Sequence, residues 1–579
     1  MGNADPPRRV RFELTDEPGS WYTSDDPPIA GTRSLVVGAP GTEIKFMGRS
    51  HTVHTMTTLL YPTGAVGMPF DTRATQGSLK VDLVTPGLYV FVCKIHPYML
   101  GAVIVDDPAT DGLDLGETVT LIHGPVIPTS SDLATRLLRA FFIITNPGNW
   151  QDFSRGGPWH VTYPDVRVRI TGGAVVGLRA VLDSRYGNDA ALPALFDPPV
   201  PGVGEVWVNT QYEKTAGKAK PGTATAVSAS TWKVTRKVAL PQINMNNPHN
   251  MWTDRGQELI YAAQWFDKRL TVFERATGRL VRDLVVGEAP AHVMTRVDTD
   301  QVHVTVNGSS SDSSVVELSP GAGHIERSLD IGRPHPHAHW MSHDGKTMVT
   351  PNMFTADSST YDFPSDTHSL VPAGALPIAT GMMPDASKHY VANYLGGTIT
   401  VIATATGQVL KTIDLLANYD PISGAITGPV GGLPIQTPVS PNGRYMVTAN
   451  TLTATMVITD TVTDTIVKML PCDAGCHGVQ FGAKRGGGYY AYVSSKFANT
   501  LLVVDPDPNG DGSAADAAVV GRILLTATAA TASDDTITGL AGMGGQGVLP
   551  IPVVYNGWVQ NLPEPWSKQL TDQQRQPYP

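Results

Sequence analysis

Charge is scarce in this chain. Of its 579 residues only 16 % are Asp, Glu, Lys or Arg, and the balance at neutral pH is −10. No basic run could track a phosphate backbone or an anionic bilayer surface, so neither nucleic acid nor a membrane surface is expected as a partner. Long apolar runs are missing as well. The most apolar helical stretch, Leu137 to Thr145, falls far short of the roughly 20 residues that cross a bilayer, so no membrane span is expected. Three cysteines cannot build a disulfide framework, which directs attention to their chemistry instead. The first residues, Met1-Gly2-Asn3-Ala4-Asp5-Pro6-Pro7, carry neither the basic nor the apolar segment of a secretory leader. No arrangement of Ser, Cys or paired carboxylates suggests a hydrolytic nucleophile.

Turn residues are abundant: 58 glycines and 46 prolines accompany 41 % hydrophobic residues, a composition of folded, turn-rich chains and not of disorder or collagen. Residues 1–33 read as an N-terminal extension. From 34 to 107, short strands alternate in period two: Ser34 to Val37, Glu43 to Phe46, Leu79 to Leu83, Leu88 to Val92 and Ala102 to Val105, the pattern of a small β-sandwich. Residues 108–204 read as a connector with a helix at Ser131 to Ala140 and strands near Val166 to Ile170 and Gly177 to Val181. From 205 to 560 the chain repeats. Related tetrads lead in at Pro248-His249-Asn250-Met251, Ala291-His292-Val293-Met294, Ala338-His339-Trp340-Met341, Thr380-Gly381-Met382-Met383, Gln436-Thr437-Pro438-Val439, Cys476-His477-Gly478-Val479 and Gln546-Gly547-Val548-Leu549. Most lie about 40 to 50 residues apart, the length of a four-stranded propeller blade, and seven of them can close a ring. Residues 561–579 read as a tail. Tyr390-Val391-Ala392-Asn393 and Tyr445-Met446-Val447-Thr448-Ala449-Asn450 resemble the YVTN-type β-propeller repeat family. The expected fold class is all-β, a sandwich followed by a seven-bladed β-propeller.

Cys93-Lys94-Ile95-His96-Pro97-Tyr98-Met99 gathers a thiolate, an imidazole and a thioether at the end of a predicted strand. That donor set suits copper, with the thioether as a weak axial ligand. A second imidazole is available upstream from His51 or His54 in Ser50-His51-Thr52-Val53-His54-Thr55-Met56. The pattern resembles the cupredoxins, and their amicyanin branch in particular. The resemblance implies a type 1 copper held by His51, Cys93, His96 and Met99, with His54 a neighbour and not a ligand. A site of two histidines, one cysteine and a weak Met relays electrons, because no position is left for substrate.

Reading the seven lead-in positions gives His249, His292, His339, Gly381, Thr437, His477 and Gln546. Arg333-Pro334-His335-Pro336-His337-Ala338-His339 adds two imidazoles at spacing two, which an extended segment puts on one side. His249, His292, His335, His337, His339 and His477 are thus candidate ligands of a channel copper, and His249, His292, His339 and His477 candidate catalytic residues. A propeller with channel histidines joined to a cupredoxin is similar to nitrous oxide reductase, with the domain order reversed, a mononuclear copper in the sandwich and an incomplete histidine ring. The resemblance implies a copper-dependent oxidoreductase with a small-molecule substrate, a redox partner and a homodimer. The alternative is an electron-transfer cupredoxin whose propeller only docks a partner or ligand.

Cys472 and Cys476 bracket Asp473-Ala474-Gly475 and read as a small disulfide loop, with soft ligands or a redox dithiol as the other readings. Asp505, Asp507, Asn509, Asp511 and Asp516 have the spacing of a calcium loop, equally that of an acidic turn. Copper chemistry and a disulfide point to the periplasm or the extracellular space, with the leader expected to have been removed.

Overall fold

The computed structural model describes residues 9–26, 28–29, 31–48, 52–74, 77–149, 159–187, 189–190, 194–216, 218–239, 245–526 and 543–578. The chain divides into two compact units. One comprises 1–151, 157–192 and 419–427, and the other 152–156, 193–418 and 428–579.

The first unit is built on β1 (Arg9–Leu14), β2 (Tyr22–Ser24), β3 (Leu35–Gly38), β4 (Thr42–Gly48), β5 (His54–Pro62), β6 (Asp71–Ala74), β7 (Gly77–Leu83), β8 (Gly87–Val92) and β9 (Leu100–Val105). One sheet has the order β2-β1-β4-β7, and the other runs β5-β8-β9-β3 with β6 beside β5. Alternation decides which residues face inward: Val10, Phe12 and Leu14 are buried on β1, Ile44 and Phe46 on β4. Phe91 of β8 meets Phe46 edge-on with centroids 5.0 Å apart and Phe12 at 5.7 Å, so the two sheets share an aromatic core.

Several boundaries differ from expectation. Residues 9–24 are no extension, because β1 pairs in parallel with β4 from Arg9↔Glu43 to Leu14↔Gly48 and supplies inward side chains. Much of the expected connector also belongs to the first unit: Thr118–Leu121 pairs with β5. Helix α1 (Asp132–Thr145) starts at Ser131, whose hydroxyl caps the Ala134 N–H, and runs beyond the expected Ala140. Where a strand was expected at 177–181, α2 (Leu178–Tyr186) forms, burying Leu178 and Leu182 one turn apart.

The second unit is a β-propeller. Among its described residues, seven sheets of three or four antiparallel strands follow one another. Blade 1 joins Glu205–Thr210, Thr223–Ser228 and Val234–Val238 to the late strand Gly545–Ile551, so the two ends of the ring are hydrogen-bonded together. The innermost strands of blades 2 to 7 are Pro248–Thr253, Pro290–Thr295, Trp340–Met341, Pro377–Met382, a bridge at Val439 to Met446, and Cys476–Ala483. They pack so tightly that side chains are excluded at two points: a Cβ on Gly381 would come within 1.9 Å of Thr437 O, and one on Gly478 within 2.0 Å of Gln546 O. The expected tail is bound to the propeller, Gln574 Nε2 donating to Lys484 O and Gly488 O.

Candidate metal centres

In the first unit, the hairpin from β8 to β9 folds over itself. Cys93 N–H donates to Met99 O and Met99 N–H to His96 O, which turns the loop tightly enough to put Cys93 Sγ 3.5 Å from His96 Nδ1. β5 begins at His54, and its Nδ1 lies 3.9 Å from the same sulfur. The ligand atoms of His54, Cys93 and His96 are all within 4.8 Å of one another and buried. Bonds of about 2.0 Å to nitrogen and 2.3 Å to sulfur at open angles separate N from S by about 3.5 to 3.7 Å, so this trio fits around one ion. Met99 is fully buried in the same loop.

His54, expected as a neighbour of the site, is part of the cluster, while His51 lies outside the described residues. The physical reason is Asp16. Its carboxylate takes His54 Nε2 at 3.1 Å and the Thr52 hydroxyl at 3.0 Å, which leaves His54 Nδ1 aimed at the thiol, the outer-shell support usual for a ligating imidazole. Burial alone would lower His54, but the Asp16 hydrogen bond and the neighbouring Cys93 hold it at about 9. Burial alone would raise the Cys93 thiol, yet His54 and the N–H groups of Thr55 and His96 bring it below its ordinary value. The surroundings thus favour a thiolate.

The second cluster lies inside the propeller. His249 of blade 2 shares its Nδ1 with Ala291 O of blade 3 at 2.9 Å, and His337 before blade 4 shares its Nδ1 with Ile378 O of blade 5 at 2.7 Å. Each bond fixes the tautomer with the proton on Nδ1 and the lone pair on Nε2. The Nε2 atoms of His249, His292 and His337 are buried without a hydrogen-bond partner, and the three rings offer ligand atoms within 4.8 Å of one another. Ring centroids are 5.0 to 5.4 Å apart. An unpaired buried polar atom costs about 1 to 3 kcal/mol, so three directed at one point form a donor set that a metal ion fits. Burial and the other imidazoles hold His249 and His292 well below the ordinary histidine value, and burial puts His337 at about 4. All three are thus favoured in the neutral form near neutral pH.

No family model matches the chain, and no curated protein matches it. Solved structures do. Hydrazine synthase of Kuenenia stuttgartiensis is 16 % identical over 54 % of this chain and 98 % of its own, with a TM-score of 0.42. A functionally unknown protein from Desulfotomaculum acetoxidans is 12 % identical over 60 % of this chain and 98 % of its own, at 0.43. A protein from Bacteroides uniformis described as a 6-phosphogluconolactonase is 18 % identical over 60 % and 99 %, at 0.41.

The other expected ligands separate from the trio. His335 sits at φ 61°, bonds Asn307 O through Nδ1 and stacks on Phe354. The left-handed turn breaks the extended run that was to align three imidazoles. His339 lies deeper in the channel, with neither ring nitrogen hydrogen-bonded. His477 touches His249 at 5.9 Å between centroids, but its Nε2 faces the Gln546 amide nitrogen at 2.8 Å. Lys496 Nζ donates to Gln546 Oε1 at 2.9 Å, which orients that amide to donate to His477. Burial holds the Lys496 ammonium well below its ordinary value.

Asp16 and Lys496 escaped the sequence reading. Lys496 had a signal: it follows the second strand of blade 7 where other blades have Trp265, Asn307, Met353 and Tyr394, an odd place for a lysine.

Cys472 and Cys476 form a disulfide. The acidic loop spends its oxygens locally. Asp505 pairs with Lys484 at 2.8 Å, Asp507 accepts from Asp511 and Gly512 N–H, and Asp516 accepts from Asn509 N–H.

Proposed function

We propose that the chain is a copper-dependent oxidoreductase: a cupredoxin unit with a type 1 copper, preceding the propeller, relays electrons to or from a second copper held in the propeller channel by His249, His292 and His337. The observation that carries this reading is the contrast between the two donor sets. The Cys93, His54 and His96 set, with Met99 in the same loop, is soft and closed by a thiolate, as an electron-transfer copper requires. The channel set is purely imidazole, with no Cys, Asp, Glu or fourth His in the group among the described residues, and an open position is what a substrate-binding metal needs. Copper in each site supplies one-electron redox chemistry.

The chain's own groups prepare for it. Asp16 holds His54 in one tautomer, and the two carbonyls from neighbouring blades do the same for His249 and His337. Gln546, braced by Lys496, takes up the Nε2 of His477. The Cys472–Cys476 disulfide supports an oxidising compartment, periplasmic or extracellular. A small-molecule substrate, a separate redox partner and a homodimer complete the proposal.

The test is metal analysis with electron spin resonance on purified protein. Two coppers per chain are expected, one with the narrow hyperfine splitting and blue colour of a thiolate site and one with an all-nitrogen signature. One copper per chain, all of it blue, overturns the channel assignment and leaves an electron carrier.

A further inference from the structure

A small cavity inside the propeller shares His292 with the trio. Asn250, His339, Thr380, Gln436 and Gln480 supply its other polar groups. Its free volume for water centres is about 30 Å3. One water needs roughly 10 to 15 Å3 on that measure, so the space suits a molecule of about two to three heavy atoms. None of the lining residues is charged. Farther along, Trp252 packs against Trp340 and Trp558, and Trp340 against Tyr555, with centroids 5.3 to 6.0 Å apart. Tyr555 Oη is 2.7 Å from Gln480 Oε1. The residues just after the closing strand thus cover this end with aromatic rings.

His339 is the feature the fold does not explain. It is 3 % exposed, it lines the cavity, and both its ring nitrogens lack a hydrogen-bond partner. Thr380 Oγ1, on the same cavity, lacks one too. Buried polar groups in native proteins are nearly always paired, so an imidazole with both nitrogens left over marks a place where something from outside the chain completes a hydrogen bond. We infer that this chamber is a ligand subsite for a polar, hydrogen-bonding molecule of about two to three heavy atoms, held by His339. The lining offers no charged side chain to pair with an ion, and the small free volume favours a compact molecule. That the bound molecule is the substrate rests on the channel-copper reading. That the chamber binds it does not.

Formamide is a suitable probe, being uncharged, three heavy atoms in size, and both donor and acceptor. Crystals of the copper-loaded protein soaked in formamide should show it in the chamber, hydrogen-bonded to His339. Calorimetric titration should give at least tenfold weaker binding for His339→Leu and near-native binding for His339→Gln, which restores a donor and an acceptor. Ordered water alone in the chamber at saturating formamide overturns the inference, as does equal affinity of wild type and His339→Leu. Copper content measured on the same preparations separates the two readings. Two coppers with no formamide in the chamber overturns the subsite alone, whereas one copper with formamide bound overturns the channel copper and leaves the ligand site standing.

Discussion

At the scale of single residues, histidines that look alike in sequence differ in what their second nitrogen does. His335 and His337 are two positions apart, and each gives Nδ1 to a carbonyl, Asn307 O and Ile378 O respectively. Only His337 then points Nε2 at two other imidazoles, because His335 adopts a left-handed backbone and lies against Phe354. Spacing cannot reveal this, and the same limit applies to His51 and His54, where a buried partner 38 residues away aims one ring. The thiolate loop was legible because its donors are contiguous. The expected outcomes follow from these differences. His337→Ala should lower copper from two to about one per chain while the blue absorption persists, whereas His335→Ala should keep both. Cys93→Ser should abolish the blue absorption and leave the all-nitrogen signal. Metal analysis and visible spectra of the three variants check this, and loss of the blue colour in His337→Ala would sink the assignment of separate sites.

Among strands, the propeller repeat was legible from its period but its alignment slipped. The lead-in tetrads set His249 level with His292 and His339, whereas pairing registers place Pro248, Pro290 and Pro377 at one level, opposite Gln264, Val306 and Asn393. A bulge follows each proline, and one extra residue moves every later side chain to a new level. His249 and His477 thus stand one position after the first residue of their strands, His292 two after Pro290, and His339 deeper. Blade contacts make a sharper test. Gly478→Ala would drive a Cβ into Gln546 O, and an overpacked core of this kind costs about 3 kcal/mol, so the melting temperature should fall by several degrees and the His477–Gln546 contact should shift. Blade 3 predicts a pH dependence. Burial alone would raise the Glu317 carboxyl, but His303 Nε2 at 2.8 Å and Arg327 Nε at 2.7 Å hold it down to about 2 from 4.5. A carboxyl depressed by folding stabilises above its unfolded value and loses that contribution as pH falls through its folded one. The advantage of wild type over Glu317→Gln in urea midpoint should therefore be full above about pH 5 and shrink toward pH 2. An advantage that grows on acidification contradicts the pairing.

For the molecule as a whole, the trio draws its ligands from three successive stretches of a ring whose last strand, Gly545–Ile551, is paired with its first. The cysteine site likewise joins Asp16 on the N-terminal segment to loops near residues 54 and 96. Neither donor set exists in an unfolded chain, so an ion bound at either would stabilise only the unit that gathers it. The gain is RT ln(1 + [L]/Kd), about 2.7 kcal/mol when free metal is 100 times Kd. Two units with separate cores need not melt together, which makes the two contributions separable. Calorimetry of the copper-loaded protein should show both transitions raised relative to chelated protein. Loading Cys93→Ser should raise only the propeller transition, and loading His337→Ala only the other. If copper raised the propeller transition equally in wild type and His337→Ala, its stabilising ion would have to be bound elsewhere than the three imidazoles of the channel.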